Sequence, residues 1–514
     1  MTIICNVLNY QAIIGLSRFY LTADNAWYDY CRQSGTDTQI HYLLFYLLQE
    51  KDSVMEKMSD SKLNEMDKVF YTLECLGYPP FARIHFDLCG GYVDIGLLRQ
   101  AYLLVIERCP AFNSTIEDRS SGLKWELYWI PSRKVDEKQV VRFCDFSHLT
   151  REKAEEKFKD IQFDPFRNYS AKKTPPFMMV LCKYPDNHYK LIAFFHHAAA
   201  DAHGYSMFLK DLFYTYNQLE AHRTLPVYNP VLHTSPLLPQ TMMGKVSGFF
   251  EGLCILIGHF LNCKGKDFAK VASGQNKYSG RISAIQRALE AHRLQKYLSA
   301  SKYFGVTLTE FLIAAQMVAL DRWKVEYNEP CETISVQVQK SLRKSNAELR
   351  ELANKFSPFL ITTSRENRKK LSALINHIHQ LSQSAKNSNM AEKNICLLWI
   401  LNNRFTIKCL SVLAPYFFNN QRLGDSFVVS NIGRFWDGAN GRPTLTHLGN
   451  SEIISCYFAG PPMPPVGTLS GYWTFRNKLF YSFNYFTQSL SAEAAERYTD
   501  LFEEVMDEMA DLVH

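Results

Sequence analysis

The sequence predicts an α+β protein built from two folded units. Three observations lead there. Strand-length apolar runs alternate with amphipathic helical stretches in both halves, a proline-rich break separates the halves, and 514 residues exceed one domain of roughly 100–200 residues.

Residues 1–57 look unlike the rest of the chain. An aromatic run, Tyr42-Leu-Leu-Phe-Tyr-Leu-Leu48, precedes the charged stretch Glu50–Lys62. This segment reads either as a small helical extension or as sequence upstream of the true start, since Met55 and Met58 stand just before the first regular element. An N-terminal lobe is then expected over 58–224. Ala82–Leu88 alternates like a half-buried strand and is broken by Cys89-Gly90-Gly91. Asp94 is placed to cap a helix over Ile95–Arg108, with Pro110 just beyond its end. Phe177–Cys182 and Tyr189–Phe195 flank Tyr184-Pro-Asp-Asn187 and read as a hairpin. After Asp201, the spacing of Tyr205, Phe208, Leu209, Leu212, Phe213 and Tyr216 predicts an amphipathic helix.

Residues 225–275 form the expected linker. Leu225–Gln240 carries several prolines, and the most hydrophobic stretch of the chain, Met242–Leu261, comes directly after it. That stretch predicts a core helix, with an interfacial helix serving a membrane or a lipid acceptor as the alternative. The C-terminal lobe, 276–514, shows helical patterns over Ala284–Ser299, Leu308–Trp323, Leu371–Ala385 and Ile395–Val412. Strands are expected at Thr333–Val338, Phe427–Ser430, Ile453–Phe458, Tyr472–Phe475 and Leu479–Tyr485, and a final amphipathic helix over Ser491–Val513.

Bulk properties narrow the function classes. A net charge of +6 with no dense basic stripe fits attraction to anionic ligands such as CoA phosphates but not a nucleic-acid binder. The thirteen cysteines show no CxxC or zinc-type spacing, so they read as buried thiols in a reducing, cytoplasmic setting, and no metal site is expected. Met1–Leu16 lacks the basic start and small-residue cleavage site of a secretory signal. No apolar run approaches the length of a membrane span.

The chemistry gathers at Phe194-Phe-His196-His197-Ala-Ala-Ala-Asp201-Ala-His203-Gly204, where an apolar strand runs into an amphipathic helix. An imidazole at a strand end can project into a cleft, and its ordinary pKa near 6.5 leaves it mostly neutral and able to accept a proton. A lone histidine there is more often structural. A metal site from His196, His197, Asp201 and His203 is disfavoured, because adjacent side chains of a strand point to opposite faces. No GxSxG elbow supplies a hydrolase nucleophile.

HHxxxD after a strand resembles the active-site motif of the chloramphenicol acetyltransferase-like superfamily. That group includes nonribosomal-peptide condensation domains, alcohol acetyltransferases and wax ester synthases. Further stretches resemble its motifs in the same order: Leu63-Asn-Glu-Met-Asp67-Lys-Val-Phe70; Gly91-Tyr-Val-Asp94 to Arg108-Cys-Pro110; Phe163-Asp164-Pro-Phe166; Thr174-Pro-Pro176-Phe177; Val336–Arg343 with Ala353-Asn354; Val429-Ser430-Asn431-Ile-Gly433-Arg434; and Thr474–Tyr485. The resemblance spans about 450 residues.

It implies two lobes, each a mixed sheet flanked by helices, with an active-site tunnel between them. It also implies an acyltransferase that moves an acyl group from CoA or a phosphopantetheine carrier protein to an acceptor hydroxyl or amine, with O-acyl transfer favoured. By this resemblance His197 is the general base, Asp201 organises the loop, and His196 and Gly204 support the motif. Ser430, Asn431, Gly433, Arg343 and Asn354 are channel or oxyanion candidates. No bound cofactor is implied, since the acyl thioester is a substrate. The other readings are a stand-alone condensation enzyme forming an amide and a non-catalytic homologue binding a lipid or a partner. Peripheral membrane contact through 242–261 is a further expectation. Two departures stand out. Ala202 replaces the usual Gly after the Asp, and Phe112-Asn113 replaces the Leu-Arg whose Arg can pair with that Asp. The partner of Asp201 is therefore open between Arg343 and Arg83.

Overall fold

The computed structural model describes residues 60–513 apart from 79, 133–134, 163–168, 224–236, 264–267, 272–280, 330, 345–347, 349–350, 420–424, 437–443 and 465. The expectations for residues 1–57, for most of the proline-rich linker and for Phe163–Phe166 lie outside the described residues.

Two six-stranded mixed sheets flanked by helices form the body of the protein. The first runs in the order His447–Leu448, Ser451–Ala459, Phe81–Cys89, Tyr189–His196, Phe177–Lys183, Val141–Asp145. Its central strand Phe81–Cys89 turns Ala82, Ile84, Phe86 and Leu88 into the core with no exposure, as the alternation predicts. Helices Ile95–Ile106 and Ala202–Glu220 pack against each other beside this sheet. Asp94 caps the first through the N–H groups of Gly96 and Leu97, and Asp201 caps the second through Gly204 N–H.

The second sheet runs in the order Phe356–Ser364, Thr333–Ser341, Phe427–Arg434, Thr468–Phe475, Lys478–Phe486, Ile282–Leu289. Phe427–Arg434 lies parallel to both of its neighbours, and the remaining pairs are antiparallel. Helices Leu308–Glu326 and Ala492–Asp511 cover it and share its core.

Three expectations are corrected. The helical pattern over Ala284–Ser299 splits into the strand Ile282–Leu289 and the helix Ala291–Tyr303. Good helix formers such as Ala284, Gln286, Arg287 and Ala288 are drawn into a strand by pairing with Lys478–Phe486, so tertiary pairing overrides propensity. Ile395–Val412 is broken into Met390–Cys396, the tight turn Leu397–Asn402 and Arg404–Asn419. Met242–Cys263 forms the expected helix but not a core helix. Met242, Met243, Phe250, Leu256, Ile257 and Leu261 on it are all exposed. The expected division of the chain is also crossed, because Ser451–Ala459 from the second half pairs with Phe81–Cys89 of the first sheet.

Candidate active site

Strand Tyr189–His196 ends where the motif begins, and backbone bonds fix both histidines. His196 N–H donates to Pro176 O and His197 N–H to Pro80 O, each at 2.8 Å. The two rings then diverge. His196 is fully buried, with Nε2 3.1 Å from Glu74 Oε2 and its ring stacked on Tyr169. Its Nδ1 accepts from Ala198 N–H at 3.3 Å. Burial lowers its pKa despite the Glu74 carboxylate. With Nδ1 accepting from Ala198 N–H, the neutral ring carries its proton on Nε2, on the side of the Glu74 carboxylate.

His197 is only partly covered. Its ring stacks on Phe70, with centroids 3.9 Å apart and planes within 14°, and Phe356 and Tyr205 stand beside it. Nδ1 lies 3.2 Å from Asn354 Oδ1. Asn354 is fully buried, and its Nδ2 donates to Asp67 Oδ1 at 2.9 Å and to His197 O at 2.7 Å. With Nδ2 turned to those acceptors, Oδ1 must face the imidazole, so Nδ1 carries the proton and Nε2 keeps its lone pair. Burial pushes the His197 pKa down to about 4, against opposing pulls from its own backbone carbonyl, Asp201 and Asn354. The ring is neutral at pH 7.

Asp201 meets Arg343 in a two-pronged pair, Oδ2 to Nη1 at 2.7 Å and Oδ1 to Nη2 at 3.0 Å. The side chains are 1% and 8% exposed for Arg343 and Asp201 respectively. Gly204 N–H and Lys355 N–H also donate to the carboxylate, each at 2.9 Å. Burial acts to raise the Asp201 pKa, but the Arg343 charge and these donors hold it below its usual value. Arg343 Nη2 also donates to Glu351 O and Ala353 O, which places Asn354 one residue from the ion pair. The open question of the Asp201 partner is thus settled as Arg343; Arg83 donates to Gln162 O instead. Gly204 sits where a Cβ would fall 2.8 Å from Ala200 Cβ.

His196, His197, Asp201, Gly204, Arg343 and Asn354 therefore converge. Ser430, Asn431 and Gly433, the other channel or oxyanion candidates, lie at the end of strand Phe427–Arg434. Asn431 donates to Thr309 Oγ1 at 2.7 Å and accepts from Gly433 N–H at 2.8 Å, closing a turn that Gly433 completes at φ +79°. Among the described residues, none of the three hydrogen-bonds to His197. Two residues not expected as site residues do belong there. Asp67, buried, holds Asn354, and Phe70 floors His197. Both lie on the motif-like stretch Leu63–Phe70, and their i, i+3 spacing on helix Glu65–Cys75 puts them on one face.

Two six-stranded mixed sheets flanked by helices and linked through Asp201 and Arg343 make a two-lobed α+β fold, and it is similar to that of condensation domains. The model of the condensation-domain family matches residues 87–231. Among solved structures, the chain is similar to the first condensation domain of the CDA synthetase, with TM-score 0.65 and 12% identity over 88% of this chain and 96% of that one. It is also similar to TRI3 trichothecene 15-O-acetyltransferase from Fusarium sporotrichioides, with TM-score 0.66 and 11% identity over 87% and 94%. A third likeness is the starter condensation domain of rhizomide synthetase RzmA in complex with C8-CoA and Leu-SNAC, with TM-score 0.64 and 14% identity over 90% and 96%. At these identities the likeness establishes the fold. No curated protein sequence matches the chain.

Proposed function

We propose that this protein is an acyltransferase that takes an acyl group from a CoA or carrier-protein thioester and gives it to an acceptor hydroxyl or amine, with His197 as general base. The observation that carries this is the contact between His197 Nδ1 and Asn354 Oδ1. It leaves a neutral imidazole with Nε2 available on a loop anchored by a buried ion pair.

The acceptor's proton passes to Nε2 as its oxygen or nitrogen attacks the thioester carbonyl carbon. The C–S bond then breaks, and the proton moves from Nε2 to the departing thiolate. Asp201 bears on this only by holding the loop, since both of its oxygens are committed to Arg343 and to backbone donors. Ester formation is the favoured outcome, in line with the O-acetyltransferase relative. Amide formation is the second reading, favoured by the condensation-domain match, and the C8-CoA in one relative supports a CoA donor.

The test is free-thiol release from a panel of acyl-CoAs with alcohol and amine acceptors, comparing the native protein with His197→Ala. We expect loss of about 10²–10⁴-fold in turnover. Undiminished turnover in the variant overturns the base assignment. Turnover with acyl carrier protein but with no acyl-CoA redirects the donor.

A further inference from the structure

We propose that the outward faces of helices Met242–Cys263 and Arg404–Asn419 form a docking surface for an anionic lipid bilayer. Helix Met242–Cys263 carries two apolar stripes. One faces inward. A Cβ at Gly248 would fall 2.6 Å from Cys396 Sγ, and one at Gly252 would fall 2.6 Å from Lys393 O. These two glycines, one turn apart, let the helix seat closely on Met390–Cys396 and so fix its rotation. At 100° per residue the opposite side carries Met243, Phe250, Cys254, Ile257 and Leu261 in one line. That line is open to solvent: Met243 is 81% exposed, Phe250 58%, Ile257 48% and Leu261 62%, and Cys254 is exposed as well.

The second helix, Arg404–Asn419, carries its own exposed apolar residues. It packs, as the first does, on the turn Leu397–Asn402, where Phe249 meets Trp399. It exposes Phe405, Val412 and Leu413. Leu123, also exposed, lies beside its start, where Arg404 N–H donates to Leu123 O at 2.8 Å. No other region of the described chain gathers as many exposed large apolar side chains.

Charge selects the occupant. The stretch Arg404–Asn419 contains Arg404 and Lys408, both exposed, and no carboxylate; exposed Lys124 adjoins it, with Asp118 near Arg404 and Glu126 near Lys124 as the carboxylates at its start. The one carboxylate of helix Met242–Cys263, Glu251, is taken up by Lys393 and Ser247, each at 3.0 Å. A second copy placed face to face would set these cations against their like. A bilayer of acidic lipids offers apolar depth and opposite charge together. Among the described residues no single helix is long and apolar enough to cross a membrane, so the contact is with its surface.

The test does not depend on acyl transfer. The full-length protein is sedimented with phosphatidylcholine vesicles with and without phosphatidylserine, beside Phe250→Ser/Ile257→Ser and Arg404→Gln/Lys408→Gln. Native protein should co-sediment with the phosphatidylserine vesicles and release as salt rises. The serine pair should lose binding with unchanged thermal unfolding, because both sites are exposed. The glutamine pair should bind about fivefold more weakly per charge removed. His197→Ala should bind like the native protein. Failure to co-sediment, retention by the serine pair, or light scattering that shows a dimer dispersed by it would each overturn the proposal.

Discussion

His196 and His197 are neighbours in sequence that occupy opposite surroundings. Behind the strand end, His196 is sealed by Tyr169 and Phe81, with Nδ1 accepting from Ala198 N–H and Nε2 3.1 Å from the Glu74 carboxylate. Before it, His197 lies partly open on Phe70, with Nδ1 held by Asn354 and Nε2 making no hydrogen bond among the described residues. Alternation at a strand end creates this contrast. What differs is the origin of the partners. Glu74 belongs to the same lobe as His196, whereas Asn354 and Arg343 reach the His197 loop from the other half of the chain.

Cutting that long-range tie should produce the largest effect. Arg343→Met leaves the buried Asp201 carboxylate without its cation and should cost about 3–5 kcal/mol in urea unfolding. Adding Asp201→Asn to it should restore part of the loss, since the uncompensated charge is then gone. An unchanged midpoint in the single variant would mean that the pair contributes no net stability.

Next comes Asn354→Leu, which separates the two histidines in function. It strips donors from Asp67 and His197 O, at about 1–3 kcal/mol, and it frees His197 to take either tautomer. Acyl transfer should fall about 10–100-fold, in step with that energy. ¹⁵N spectra should show mixed tautomers for His197 and an unaltered His196. A single retained tautomer would show that the backbone alone orients the ring.

The third expected effect is on pH dependence. A native His197 pKa of about 4, below the usual 6.5, means that the unfolded chain binds more protons between those values. Stability should therefore decline as pH falls from about 6.5 toward 4. Asp67, raised to about 8 by burial against the bonds from Asn354 and Asn64, works the other way, and its contribution is lost as pH rises from about 4 to 8. Urea midpoints across pH should show His197→Gln reducing the acid-side slope and Asp67→Asn the alkaline-side one.

The same distinction between local and distant partners explains what could be read from sequence. Strands such as Phe81–Cys89 and the cap at Asp94 announce themselves locally through alternation and a capping side chain. Ile282–Leu289 does not, because its strand state depends on a partner about 200 residues away. Phe356–Ser364 alternates, but Pro358 argues against a strand; it is tolerated because this strand forms the edge of its sheet. Within the site, the histidines and Asp201 could be found from one short stretch. The contact of Asn354 with His197 spans 157 positions, so spacing could not specify it, and motif order alone suggested a channel role for Asn354 rather than contact with the imidazole.

The smallest expected effect lies on the sealed side. Glu74→Gln keeps an oxygen for His196 Nε2–H and gives up one acceptor, since Glu74 Oε1 also receives Ala171 N–H at 3.0 Å. The loss should be about 1 kcal/mol in thermal or urea unfolding, with acyl transfer unchanged within about twofold, because no group around His197 is touched. A fall in turnover comparable to that of Asn354→Leu would show that the His196 pocket sets the position of the strand end. The two faces would then act as one site, and the contrast between neighbouring histidines would be one of burial rather than of role.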